Sequence, residues 1–177
     1  KPNREQASVM TKEQVPNQLQ PSAQRFQDYL GRQGFNLTVV ELSGSTRTAL
    51  EASESVGCSV SQIAKSLVFM DKKNNVPVLL IVAGSNRVNL KKFEQNTGIR
   101  LARADGTTVK EQVGFSIGGV PPAGHSIPLQ TFLDPDLIKH KSIWAAGGTP
   151  RALFKLTPDD LSALTKGTWV ELAQECP

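Results

Sequence analysis

Ile63-Ala64-Lys65-Ser66-Leu67-Val68-Phe69-Met70 runs into Asp71-Lys72-Lys73-Asn74-Asn75 and then into Val76-Pro77-Val78-Leu79-Leu80-Ile81-Val82. The first run reads as a short helical approach to a buried strand, the second as a polar turn, and the third as a nearly unbroken apolar strand. Two such runs joined by a turn pair as a hairpin. A hairpin this apolar on both faces belongs at the centre of a sheet.

Upstream, Ser22 is placed to cap a helix carrying Ala23, Phe26, Tyr29 and Leu30 on one side, with Gly34 where it would stop. A strand over residues 37–42 follows, then a turn whose Ser45 or Thr46 caps a helix burying Ala49, Ala52 and Val56 and ending at Gly57. Downstream, Asn89 caps a helix through Phe93 to Gly98, a strand covers residues 99–104, and Thr107 or Thr108 starts a short helix ending at Gly114. Strands are expected at 129–133, 143–146, 152–156 and 168–172. Thr157-Pro158-Asp159-Asp160 opens a further helix with proline at its first position. Strands often follow one another without a helix between them, which argues for a mixed sheet surrounded by short helices in a single compact α/β (α+β) domain over residues 21–177. The first 20 residues lack periodicity and are expected to form a mobile arm.

The 177 residues are 38% hydrophobic and 20% charged, the balance of a globular domain rather than a disordered chain. A net charge of +4 leans toward a polyanionic partner without the basic density of a dedicated duplex binder. Cys58 and Cys176 are far apart and fit neither a disulfide framework nor a zinc site, and only His125 and His140 are present, so no metal or other cofactor is expected. No apolar run reaches the roughly 20 residues that cross a bilayer. A soluble cytoplasmic protein without a membrane partner is expected.

Lys65 must leave an apolar element, either as a snorkelling surface lysine or as a cation fixed at the mouth of a pocket. Gly118-Gly119-Val120-Pro121-Pro122-Ala123-Gly124-His125 is either a tight structural corner or a rigid wall presenting backbone groups to a ligand. Two motifs overlapping it are rejected. Gly114-Phe115-Ser116-Ile117-Gly118 matches a nucleophile elbow, but the glycines and prolines that follow cannot supply the helix it needs. Residues 119–126 mimic a phosphate loop with His125 in place of its lysine. Thr46-Arg47-Thr48 and Ser85-Asn86-Arg87 suit phosphate contacts and suit solvated helix starts equally well.

Lys65-Ser66-Leu67-Val68-Phe69, Ser85-Asn86-Arg87-Val88, the Gly118-to-His125 loop and Gly147-Gly148, in that order, resemble the signature of the YbaK/EbsC family of aminoacyl-tRNA deacylases. That family includes the editing insertion domain of bacterial prolyl-tRNA synthetase, and the resemblance runs over residues 22–173. It implies hydrolysis of mischarged aminoacyl-tRNA, within a synthetase or, for a free-standing chain, in trans in company with an aminoacyl-tRNA synthetase; selection by pocket size leads to the expectation of a small amino acid (Ala, Ser, Thr or Cys). Lys65 falls on the family's essential lysine, and Gly118, Gly119, Val120, Pro121, Gly124 and His125 on the segment that holds the aminoacyl group. Ser66, Gly147 and Gly148 join the substrate site by the same resemblance, and Thr46, Arg47, Ser85, Asn86 and Arg87 are the candidate tRNA phosphate contacts. An aminoacyl ester is already activated, so holding it, orienting water and stabilising charge on the carbonyl oxygen suffice. A non-catalytic module binding the tRNA acceptor end or a protein, and a hydrolase of other aminoacyl esters, are the alternatives.

Overall fold

The computed structural model describes residues 18–174; residues 1–17 of the expected arm, and 175–177 with Cys176, lie outside it. Within that arm, Leu19 packs on the main core and the Gln20 N–H donates to a Glu41 carboxylate oxygen at 2.9 Å. The elements run α1 (Pro21–Arg32), β1 (Val39–Glu41), α2 (Ala49–Val56), β2 (Ile63–Asp71), β3 (Val76–Ala83), α3 (Leu90–Thr97) and β4 (Leu101–Arg103). They continue with α4 (Gly106–Thr108), β5 (Gln130–Leu133), β6 (Ile143–Ala146), β7 (Ala152–Leu156), α5 (Pro158–Thr165) and β8 (Thr168–Trp169). The strands form one mixed sheet in the order β1-β7-β6-β2-β3-β5-β8, with β4 also paired to β2.

The central hairpin is as expected, with Ala64 opposite Ala83 and Asp71 opposite Val76. Its helical approach is not. A single 3₁₀ turn, Val60–Gln62, precedes a strand that starts at Ile63, where pairing with Trp144 of β6 already begins. Long-range pairing outweighs the weak local preference of that stretch.

Three helix starts also shift. α1 begins at Pro21, whose fixed φ suits a first helical position, ahead of Ser22. α2 is capped by Thr48, whose hydroxyl accepts the Glu51 N–H at 3.1 Å, while Thr46 lies two residues ahead of that cap with its N–H bonded to the Pro150 carbonyl at 2.6 Å. Asp105, accepting the Thr108 N–H at 2.7 Å, caps α4, which continues as a π-helical turn over Val109–Val113. Asn89 and Thr157 cap α3 and α5 as read from sequence.

Alternate residues of the hairpin feed two layers. Ala64, Leu79, Ile81 and Ala83 join the main core under Phe26 and Leu30 of α1 and Leu161 of α5. Val78, Leu80 and Val82 face a second cluster around Phe93 of α3 and Phe132 of β5, whose rings meet edge-on at 4.9 Å. α2 lies over Ile63 and Leu153 through Ala52.

Candidate active site at a break in the sheet

β3 accompanies β2 along almost its whole length, but the opposite edge is shared. β6 pairs there with Ile63 and Ala64, and β4 with Phe69, Met70 and Asp71. The edge from Lys65 to Val68 has no strand beside it. The Gly84 N–H donates to the Ile63 carbonyl at 2.7 Å, which makes this facing pair a hydrogen-bonded one. By strict antiparallel alternation, Lys65 and Leu67 bond to β3 while the main-chain groups of Ser66 and Val68 turn into the gap.

Two concavities lie along this open edge. One, of about 190 Å³, sits at the β6 end and is lined by Thr46, Arg47, Ala49, Lys65, Gly118 and Ala146 among others. The other, of about 180 Å³, sits at the β4 end against Val68, Phe69, Arg103, Ala104 and Val109. Ser66, Leu67, Ile117 and Val120 line both.

The Lys65 side chain leaves the face it shares with Ile63 and Leu67. Its Nζ donates to the Asn86 carbonyl at 2.6 Å and reaches the Gly84 carbonyl at 3.4 Å. An ammonium carries three donors, so one remains for a ligand. Partial burial, then the neighbouring Arg87 guanidinium, hold its pKa below the ordinary lysine value against the opposing pull of Asp134. Asn86 is itself fixed: its Nδ2 donates to Asp134 at 2.8 Å and to Asp136 at 2.7 Å. Asp134 is buried, takes the Ala83 N–H at 3.0 Å on the same oxygen, and caps the 3₁₀ turn Pro135–Lys139 through the Asp136 N–H. The chain from Asp134 through Asn86 to Lys65 sets where the ammonium stands.

Thr46 and Ser66 bring buried hydroxyl oxygens to this cavity's walls without a hydrogen-bond partner in the protein. A buried polar atom left unpaired costs about 1–3 kcal/mol, so each of these hydroxyls calls for a partner from outside the protein, water or ligand.

The glycine-proline loop divides. Gly118 has φ +88° and the Arg47 side chain lies where a Cβ would go, and a Cβ on Gly119 would meet the Thr149 backbone at 2.6 Å. This half is pressed between Arg47 and the β6–β7 turn, and its Gly118 and Val120 wall the Lys65 cavity, with Gly119 behind them. The other half turns away. Gly124 packs on the Tyr29 ring, and His125 lines a separate cavity of about 380 Å³ with Tyr29, Leu164 and Lys166. His125 Nε2 meets the Pro121 carbonyl at 2.7 Å, which assigns the proton to Nε2 because a carbonyl only accepts. Burial holds the His125 pKa below its ordinary value, against the effect of that bond.

Of the other sequence-derived candidates, Arg47 stands exposed at the cavity rim and Thr46 is buried in its wall. Ser85 and Arg87 are exposed on the turn after β3, and Asn86 points inward. Gly147 backs onto Val39, and Gly148 onto the Ser22 backbone, beside the cavity's Ala146 rather than on its surface. Ser116 is exposed, and its carbonyl accepts the Gly119 N–H at 2.9 Å in a turn that no helix follows. Sequence reasoning missed Asp134, Ile117 and Arg103. For Asp134 a signal existed, since Asp134-Pro135-Asp136 is a cap pattern; its burial was not readable.

The family profile described as aminoacyl-tRNA editing domain matches residues 43–164. YwhH, an uncharacterized protein of Bacillus subtilis (strain 168), is 32% identical over 138 residues, 77% of this chain and 87% of its own. The "Putative Cys-tRNA(Pro)/Cys-tRNA(Cys) deacylase EbsC" of Enterococcus faecalis is 26% identical over 131 residues, 71% of this chain and 76% of its own. Among solved structures, that of "a putative trans-editing enzyme for prolyl tRNA synthetase" is 49% identical and superposes with a TM-score of 0.83, covering 89% of this chain and 99% of its own.

Proposed function

The chain belongs to the aminoacyl-tRNA editing family, and on that premise we propose that it hydrolyses, in trans, the ester joining a small amino acid (Ala, Ser, Thr or Cys) to a mischarged tRNA in the cytoplasm, in company with a synthetase. The observation that carries this reading is Lys65: a held ammonium with one donor to spare, at a cavity of about 190 Å³ opened by a gap in the sheet.

The reaction asks little of side-chain acids and bases. Water adds to the ester carbonyl, negative charge gathers on its oxygen, and the bond to the ribose oxygen breaks with a proton returned to that oxygen. A fixed cation and main-chain donors at that oxygen lower the barrier, because they need no reorganisation as the charge appears. In this reading Lys65 supplies the cation, the backbone of Gly118 and Gly119 walls the aminoacyl group, and Val120, Ala49 and Ala146 limit the side chain to a small one. Such limits exclude larger residues sterically, whereas discrimination against a group one methylene smaller yields only about 1–3 kcal/mol. No helix among the described residues is long and apolar enough to cross a membrane.

A panel of tRNAs charged with Ala, Ser, Thr, Cys and the cognate amino acid, followed by acid-gel or filter assay, tests the proposal. Enzyme-dependent loss of at least one mischarged species is expected, with Lys65→Ala slower by about 100-fold, a change of roughly 2.7 kcal/mol in the barrier. Loss at the spontaneous rate for every species would show a tRNA-binding module instead. Activity within a few-fold of wild type in Lys65→Ala would remove Lys65 from the chemistry.

A further inference from the structure

The second concavity, at the β4 end of the open edge, is not needed to hold a small aminoacyl group. Its walls include the consecutive residues Ser66, Leu67, Val68 and Phe69, whose side chains alternate between the two faces of the sheet. A groove lined by successive residues of one strand looks onto the strand's edge, where the main chain is the recognising surface. Along that edge stand the Ser66 carbonyl and, two residues on, the Val68 N–H, an acceptor followed by a donor.

We infer that this groove seats the terminal adenosine of the tRNA and reads its base through the Ser66 carbonyl and the Val68 N–H. The inference rests on the deacylase reading and adds to it where the nucleoside lies. Adenine presents an amino donor at N6 next to a ring acceptor at N1, the complement of that edge, and unpaired bases are commonly read on this side. The groove's volume of about 180 Å³ suits one base rather than a base pair. Phe69, Val109 and Ile117 give it apolar walls, and Ile117 is 46% exposed, an apolar side chain held out at the divide between the two concavities.

Continuity supports the same occupant. The groove and the Lys65 cavity share Ser66, Leu67, Ile117 and Val120, so a ribose crossing at Ile117 joins a base on one side to an ester on the other. Arg103 stands exposed on the groove wall and Arg47 on the rim of the Lys65 cavity, which puts a cation at each end for the phosphates that precede the terminal nucleoside.

The test compares the trinucleotides CCA and CCI, titrated into the full chain labelled with nitrogen-15. Inosine replaces the N6 amine by a carbonyl and protonates N1, which reverses both partners while keeping the shape. CCA is expected to bind about tenfold more tightly than CCI, within the range of a two-point base contact, and to shift the Val68 amide signal. Arg103→Glu, checked for folding by its melting curve, weakens CCA several-fold. Equal binding of CCA and CCI, no binding of CCA, or an unmoved Val68 amide overturns the inference. Hydrolysis of mischarged tRNA by the same preparation is scored separately. An active enzyme indifferent to the base sinks only the adenosine seat; an inactive one that prefers CCA and shifts Val68 upholds the seat and sinks the deacylase reading.

Discussion

The two ends of the loop from Gly118 to His125 face different cavities, and the proposed chemistry belongs to the smaller one. At the Gly118 end, about 190 Å³ is bordered by an ammonium held on two carbonyls, two unpaired buried hydroxyls and an unpaired strand edge. At the His125 end, about 380 Å³ opens between α1 and α5, and the imidazole there, its pKa lowered by burial, is engaged with its own loop at Pro121. Size marks where the loop leaves room against its neighbours. Unsatisfied polar groups around a positioned cation mark where a substrate can gain something by entering.

Asp134→Asn should separate the two ends most sharply. It removes the charged acceptor of the Ala83 and Asn86 donors, and charge-assisted bonds of this kind contribute about 1.5–3 kcal/mol each. kcat/KM should fall by tenfold or more, with a lower urea midpoint. Its pH profile gives a readout that mere destabilisation would not. Deacylation that needs charged Lys65 is present below the Lys65 pKa and lost as pH rises through it. The Asp134 carboxylate raises that pKa, so in Asp134→Asn the alkaline limb moves to lower pH. A limb that stays in place would detach Asp134 from Lys65.

Gly119→Ala should come next. Its Cβ would meet backbone atoms of Thr149 and Pro150, which cannot swing aside as a side-chain tip can, so overpacking of about 1–3 kcal/mol is expected in denaturant melts. The displaced wall should also lower kcat/KM.

His125→Gln should have the smallest effect and a different kind. Loss of the bond to Pro121 should cost about 1 kcal/mol of stability while leaving kcat near wild type. The folded-state pKa of His125 is depressed, so the unfolded chain binds the extra proton as pH falls through its ordinary value of about 6.5, and stability is lost in that direction. Wild type should lose more Tm than His125→Gln between pH 7.5 and 5.5. A kcat collapse in His125→Gln like that expected of Lys65→Ala would erase the division between the two halves of the loop.

Local chemistry accounts for what was legible in advance. The β2–β3 hairpin, the Asn89 and Thr157 caps, and the helix ends at Gly57 and Gly98 follow from residues close in sequence. Edge strands were read too long: residues 37–42 contract to Val39–Glu41 and 168–172 to Thr168–Trp169, because β7 and β5 offer register partners over only three and two residues. The Thr46 cap was also misplaced: Thr46 is tied by its N–H to Pro150, about a hundred residues away, and the helix starts after Thr48 instead. Lys65, Ser66, Thr46, Arg47, Gly118 and Val120 could each be singled out in the chain, and the structure gathers them around one cavity. Asp134, behind Lys65, acts through burial and a long-range amide contact that composition does not reveal.

By itself the sequence determined a central hairpin in a mixed sheet, a lysine leaving an apolar strand and, far along the chain, a stiff glycine-proline loop, since periodicity, capping and turn chemistry are local. Only the tertiary structure decided that β6 stops at Ala64 and β4 starts at Phe69, which leaves the edge beside Lys65 open. Where one strand ends against another depends on packing between segments tens of residues apart, and that open edge is what sets Lys65 at a cavity, where the proposed function needs its cation.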